Sequence, residues 1–133
     1  MAKEFTLGKK ERLKSRKHIE QLFKEGKSFV LTPFRVHFIK SKPEEDISKI
    51  NSLKFGVGVS TKNFKKAVDR NRIKRLTREA YRLQKKFLEE KLMDNNNLLN
   101  VFIIYTSKEL PVYNELYKKI GLVLSKLDKL TEE

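Results

Sequence analysis

The sequence predicts an α+β sandwich in which helices cover a sheet, in the order helix, two or three strands, long helix, buried strand, helix. Three observations predict it. Apolar residues recur at spacings of three and four in some stretches and alternate strictly in others, so helices and half-buried strands share one chain. The run Leu98-Leu99-Asn100-Val101-Phe102-Ile103-Ile104-Tyr105-Thr106 is almost continuously apolar, as expected for a central strand covered on both faces. The chain has 133 residues, enough for one core and too few for two, so residues 1–133 are read as one domain.

Residues 1–14 are basic and poorly periodic and read as an extended arm. Ser15 is placed to cap a short helix over residues 16–25 that buries Ile19, Leu22 and Phe23 and stops at Gly26, a favoured residue after a helix end. Phe23 reads as a core anchor or as a nucleotide contact. A turn or short strand is expected around Phe29 to Thr32. From Pro33 to Lys40 the period is two, with Phe34, Val36 and Phe38 on one face and Arg35 and His37 on the other. That second face is either simply exposed or a surface where a cation and a ring meet bases and phosphates.

Residues 41–52 carry Pro43, Glu44, Glu45 and Asp46 and read as a polar loop facing away from any polyanion. The next strand sets Leu53, Phe55, Val57 and Val59 toward the core and leaves Lys54, Gly56, Gly58 and Ser60 on the other side. Two glycines weaken a strand, which suggests a close approach to its backbone. Thr61 to Lys66 form a basic loop into a long helix that runs to about Met93 and breaks at Asp94-Asn95-Asn96-Asn97. Pro111 opens the last segment, where Leu116, Ile120, Val123, Leu124 and Leu127 mark an amphipathic helix ending near Leu130.

Charge is the outstanding property. Thirty-one Lys and Arg against 17 Asp and Glu give a formal net charge of +14, well beyond the magnitude of about 2 to 8 that suits a soluble small domain. Such an excess points to a polyanionic partner. Cysteine is absent, which removes disulfides, thiolate nucleophiles and Cys-bound zinc. His18 and His37 are too scattered for a metal cage. No apolar run reaches membrane-span length, and Met1 to Gly8 lacks the core of a secretory signal, so a cytoplasmic protein is expected.

The excess concentrates in the long helix. At about 100° per residue, Ile73, Leu76, Ala80, Leu83 and Phe87 form an inward stripe, and Asn71, Arg75, Arg78 and Arg82 form an outward one. Glu79 is the only acid between Arg70 and Arg82, so the cations are not laced with opposite charge as solvated helices usually are. Arginine forks suit phosphate, and nucleic acid is the expected partner.

The stretch from Ala67-Val68-Asp69-Arg70-Asn71-Arg72-Ile73-Lys74-Arg75 through Leu76-Thr77-Arg78-Glu79-Ala80-Tyr81-Arg82 closely resembles the Arg-Asn-Arg signature of the bacterial ribonuclease P protein subunit family. Arg12-Leu13-Lys14, Phe23, Lys24, Gly26 and Phe55-Gly56-Val57 through Val59-Ser60 stand where that family would place them, and the resemblance covers roughly residues 9–125. It implies a small α-β-β-β-α-β-α protein with a four-stranded sheet and a left-handed crossover. It also implies a partner, a catalytic ribonuclease P RNA that removes the 5′ leader from precursor tRNA and supplies the Mg²⁺ chemistry, with no metal held by the protein alone and no small-molecule substrate.

Carried onto this chain, the resemblance implies that Lys65, Lys66, Arg70, Asn71, Arg72, Lys74, Arg75, Arg78 and Arg82 contact the catalytic RNA. It implies a leader cleft lined by Arg12, Lys14, Phe23, Phe34, Arg35, His37, Lys54, Gly56, Gly58 and Ser60. Ile19 stands where members often have an aromatic, and His37 where a tyrosine is common, so stacking there is expected to be weaker or pH-sensitive. The loop Thr61 to Lys66 is one residue longer than the commonest form and lacks its glycine.

No catalytic residue is found in the protein itself. A nuclease needs clustered carboxylates for Mg²⁺, a His pair, or a nucleophile with its base. Asp69 stands alone beside the basic helix start, where an acid favours the helix dipole. Asn71 could help to order a hydrated Mg²⁺ at an RNA interface, although one amide is not a site without phosphate oxygens. The alternative is a non-catalytic ribosomal or RNA-assembly protein; an autonomous metal-dependent nuclease would have to cleave without RNA. A membrane role is disfavoured by a helix with arginine on one face and its aromatics on the core face.

Overall fold

The computed structural model describes residues 16–42 and 52–131, so Arg12, Lys14, Ser15 and most of the polar loop lie outside the described residues. Eight elements follow in order: α1 (Arg16–Glu25), β1 (Lys27–Leu31), β2 (Phe34–Ser41), β3 (Leu53–Val59), α2 (Ala67–Gln84), α3 (Lys86–Asp94), β4 (Leu98–Tyr105) and α4 (Tyr113–Leu130). The strands form one sheet in the order β1-β2-β4-β3. β2 runs antiparallel to both β1 and β4, and β3 is parallel to β4. A parallel pair needs a crossover, which α2 and α3 supply.

The two alternating strands behave as their period dictates. Phe34, Val36 and Phe38 of β2 and Leu53, Phe55 and Val57 of β3 are buried on the inner face, joined there by Leu99, Val101, Ile103 and Tyr105 of β4. Onto them pack Ile73, Ala80 and Tyr81 of α2 and the stripe Leu116, Ile120, Val123, Leu124 and Leu127 of α4. Each Val, Leu, Ile or Phe among them contributes about 1.5–3 kcal/mol relative to exposure. Tyr81 lies flat on Phe55, with ring centroids 3.8 Å apart and planes 7° from parallel, and pins α2 to β3.

Four expectations change. The long helix is two helices, because the ladder breaks at Lys85. There the Gln84 amide donates to the Ala80 carbonyl and also reaches the Tyr117 carbonyl of α4, both at 3.0 Å, inserting a side chain into the helix ladder, a recognised cause of kinks. The inward stripe is rotated as well: Leu83 and Phe87 are exposed, while Thr77 and Tyr81 are buried with Ile73 and Ala80. A buried threonine is tolerated because its hydroxyl donates to the Ile73 carbonyl at 2.7 Å.

β4 is covered fully on one face only; Leu98, Asn100, Phe102 and Ile104 alternate with the buried residues and stay partly exposed. Gly26 does end α1, its N–H donating to the Leu22 carbonyl at 2.8 Å, but not through a left-handed conformation. A Cβ there would lie 2.5 Å from the Leu22 carbonyl oxygen and 2.7 Å from that of Phe38, so lack of space demands the glycine.

Candidate nucleic-acid interface

Two surfaces emerge, one on each side of the sheet. The first is the N-terminal half of α2. Lys65, Lys66, Asn71, Arg72 and Arg75 are exposed, and Lys74 is partly so. Arg72 and Arg75, three residues apart on one helix face, line a shallow groove with Val68, Asn71 and Leu76. Val68 is 76 % exposed, an apolar floor between guanidinium groups that no periodicity argument singled out.

Three cations of the expected RNA-contact set are less available than their places in the sequence suggest. Arg70 turns back, and its Nη1 donates to the carbonyls of Phe64 at 2.8 Å and Lys65 at 2.7 Å, so it closes the preceding loop onto the helix. Arg82 is held by Glu79 through two hydrogen bonds, one of them at 3.1 Å, and Arg78 is partly buried. The loop itself is fixed by Phe64, which is buried near Tyr105, and by Asn63, whose amide donates to the Thr106 carbonyl at 3.3 Å.

The second surface is the outer face of the sheet beside α1. Strand register builds it in rows: Ser28, His37, Phe102 and Gly56 in one, Val30, Arg35, Ile104 and Gly58 in the next, and Ile39, Asn100 and Lys54 in a third. α1 lays Phe23 across the first row. Its ring meets His37 edge-on at 4.6 Å and Phe102 at 5.5 Å, near-perpendicular arrangements that suit aromatic quadrupoles. Phe23 remains 44 % exposed, so it is both anchor and surface. Burial, and then the charge of Arg35, push the His37 imidazole below its ordinary value of 6.5, which favours the neutral ring.

The structure thus brings Phe23, Arg35, His37, Lys54, Gly56 and Gly58 to one side. Phe34 does not join them. It is fully buried on the opposite face, because β2 alternates and Phe34 shares its side with Val36 and Phe38. Gly56 is buried, and Gly58 has a tangible neighbour: a Cβ there would stand 3.1 Å from two carbons of the Phe102 ring. Ser60 lies just beyond β3, where its hydroxyl accepts from the Lys62 N–H at 3.1 Å. Phe102 is the residue that sequence reading missed, since an unbroken apolar run does not reveal which face a given ring occupies.

Among the described residues no three His, Cys, Asp or Glu side chains come together in a metal-binding group, and no helix is long and apolar enough to cross a membrane. Asn71 is an exposed amide beside Arg72 and Arg75.

The chain is similar to known proteins along most of its length. The family model for Ribonuclease P matches residues 7–128. The ribonuclease P protein component of Porphyromonas gingivalis is 41 % identical over 107 residues, covering 80 % of this chain and 75 % of that protein. The component of Clostridioides difficile is 31 % identical over 116 residues, covering 87 % and 90 %. Among solved structures, the RNase P protein of Thermotoga maritima superposes with a TM-score of 0.66 at 27 % identity, over 87 % of this chain and 96 % of that one. The Staphylococcus aureus RNase P protein shares the fold, with a TM-score of 0.58 at 22 % identity over 92 % and 95 %.

Proposed function

The chain belongs to the ribonuclease P protein family and is the protein subunit of that tRNA-maturing endoribonuclease, and from this premise we propose how its two surfaces divide the work. Its partner is the ribonuclease P RNA. The N-terminal half of α2, with Lys65, Lys66, Asn71, Arg72, Lys74 and Arg75, docks that RNA, and Arg70 acts by holding the loop that positions the helix. The row of Phe23, His37 and Phe102, flanked by Arg35 and Lys54, receives the single-stranded 5′ leader of precursor tRNA. The observation that carries this reading is the separation of exposed guanidinium groups on α2 from half-exposed rings on the other side of the sheet.

Charge meets a folded duplex through its phosphates, whereas rings need unstacked bases, which a leader offers and a duplex does not. Hydrolysis and its Mg²⁺ are assigned to the RNA, with Asn71 contributing at most one contact to the ion's water shell. The setting is the cytoplasm. Adding the purified protein to a bacterial ribonuclease P RNA and a precursor tRNA at low Mg²⁺ is expected to raise cleavage at the mature 5′ end. No gain would overturn the reading.

A further inference from the structure

α4 carries a basic surface that neither of the two sites uses. Its inward stripe is buried, while four lysines are exposed: Lys118 and Lys129 opposite that stripe, Lys119 and Lys126 about a quarter-turn round, on the β1-edge flank. The acids of α4 do little to offset them. Glu115 sits a turn before the first lysine, and Asp128 is turned toward α3, its Oδ1 2.8 Å from Lys91 Nζ. Lys126 is steadied at the β1 edge, with Nζ 4.8 Å from the centroid of the Phe29 ring. From Lys118 to Lys129 the helix advances about 16 Å, long enough to meet several phosphates.

We propose that this outer face of α4 is a second docking ridge for the catalytic RNA, taking the phosphodiester backbone of a duplex without reading its sequence. It rests on the assignment of α2 to that RNA. α4 packs beside α2 on the inner face of the sheet, with the Gln84 amide donating to the Tyr117 carbonyl at 3.0 Å, so both helices present their outer sides on the same flank of the molecule. The leader row lies on the opposite flank. The chemistry differs accordingly: α2 offers arginine forks, whereas α4 offers only ammonium groups, point charges on flexible stems that neutralise phosphate without fixing its orientation.

The test replaces Lys118, Lys119, Lys126 and Lys129 together by glutamine and measures assembly with ribonuclease P RNA from low to moderate salt. Affinity at low salt is expected to fall roughly tenfold or more, and the slope of log affinity against log salt to flatten by about one for each lysine that had neutralised a phosphate. The four-arginine replacement keeps the charge and is expected to retain both. Arg72→Ala/Arg75→Ala serves as the control for the α2 site. Unchanged affinity and slope in the glutamine variant, together with weaker assembly of the α2 control, overturns the ridge and leaves the α2 assignment standing. Full affinity in both variants overturns both. Intact assembly with weakened precursor tRNA binding by the holoenzyme also overturns the ridge, because the phosphates would then be the substrate's.

Discussion

The α2 stripe and the sheet row beside α1 are built for different binding physics. On α2 the reaching groups are long, charged and exposed, so their attraction to phosphate extends through solvent and weakens as salt rises. In the sheet row the reaching groups are rings held edge-to-face by one another and half desolvated, so the contacts proposed there rest on stacking rather than on charge. In the proposed division, one surface captures the catalytic RNA and the other meets the unpaired leader of a different molecule. The difference is testable, because each surface can be damaged without touching the other.

Both surfaces stand on one core, and the largest effect comes from damage there. Tyr81→Ala removes a fully buried ring stacked on Phe55, between the helix that carries Arg72 and the strand that carries Gly56 and Gly58. A loss of about 3–5 kcal/mol of stability is expected, read as a lowered urea midpoint with an unchanged slope. A midpoint near wild type would mean that α2 is not pinned to β3. Phe34→Ala belongs to the same class, since that side chain is wholly buried.

Next in size is Arg72→Ala/Arg75→Ala. Two charge-assisted contacts are expected to be worth about 3 kcal/mol together in assembly with the catalytic RNA, with a shallower salt dependence and an unchanged unfolding midpoint. Arg70→Ala should instead lower the midpoint, because its guanidinium serves two loop carbonyls. A double variant whose RNA affinity dropped equally at every salt concentration would break the proposed division.

The contrast also explains how much was legible in the sequence. The α2 stripe is local: Asn71 and Arg75 lie one turn apart, and helical period places them together, whereas Arg72 came from the family likeness. The buried residues of α4 and, apart from the break at Lys85, the element order followed from the same kind of periodicity, and they stand as expected. What periodicity could not give was decided by distant partners. The Lys85 break depends on a carbonyl of α4, and the Arg70 side chain on loop carbonyls that only the folded chain brings near. The sheet row depends on register, which joins His37, Phe102 and Gly56 from three strands. Phe34 was misplaced for an instructive reason: its alternation with Arg35 already put it in the core, and the family likeness drew it toward the cleft.

Phe23→Ala and Phe102→Ala probe the row at moderate cost. Stacking of a base on an aromatic ring is worth about 1–3 kcal/mol, so each variant is expected to lose roughly tenfold in the preference of the holoenzyme for precursor over mature tRNA. Assembly with the catalytic RNA and its salt slope should not change. Equal losses for precursor and mature tRNA would remove the leader from this surface.

The smallest effect is a pH response confined to one surface. His37 has its value lowered from 6.5, first by burial and then by Arg35, so in the window below 6.5 the unfolded chain holds the proton more than the folded one does. Stability from the neutral ring is therefore complete above that ordinary value and is lost as pH falls through the lowered one. Partial exposure keeps the effect small. The urea midpoint of the wild-type chain, minus that of His37→Gln, should decline as pH drops from 7.5 toward 5; the subtraction cancels His18 and every carboxylate common to both. Guanidinium groups do not titrate in this range, so Arg72→Ala/Arg75→Ala should show the same decline as wild type. If the difference between wild type and His37→Gln stays flat with pH, the imidazole is not packed against Phe23 strongly enough to feel its burial, and the row is looser than its ring distances indicate.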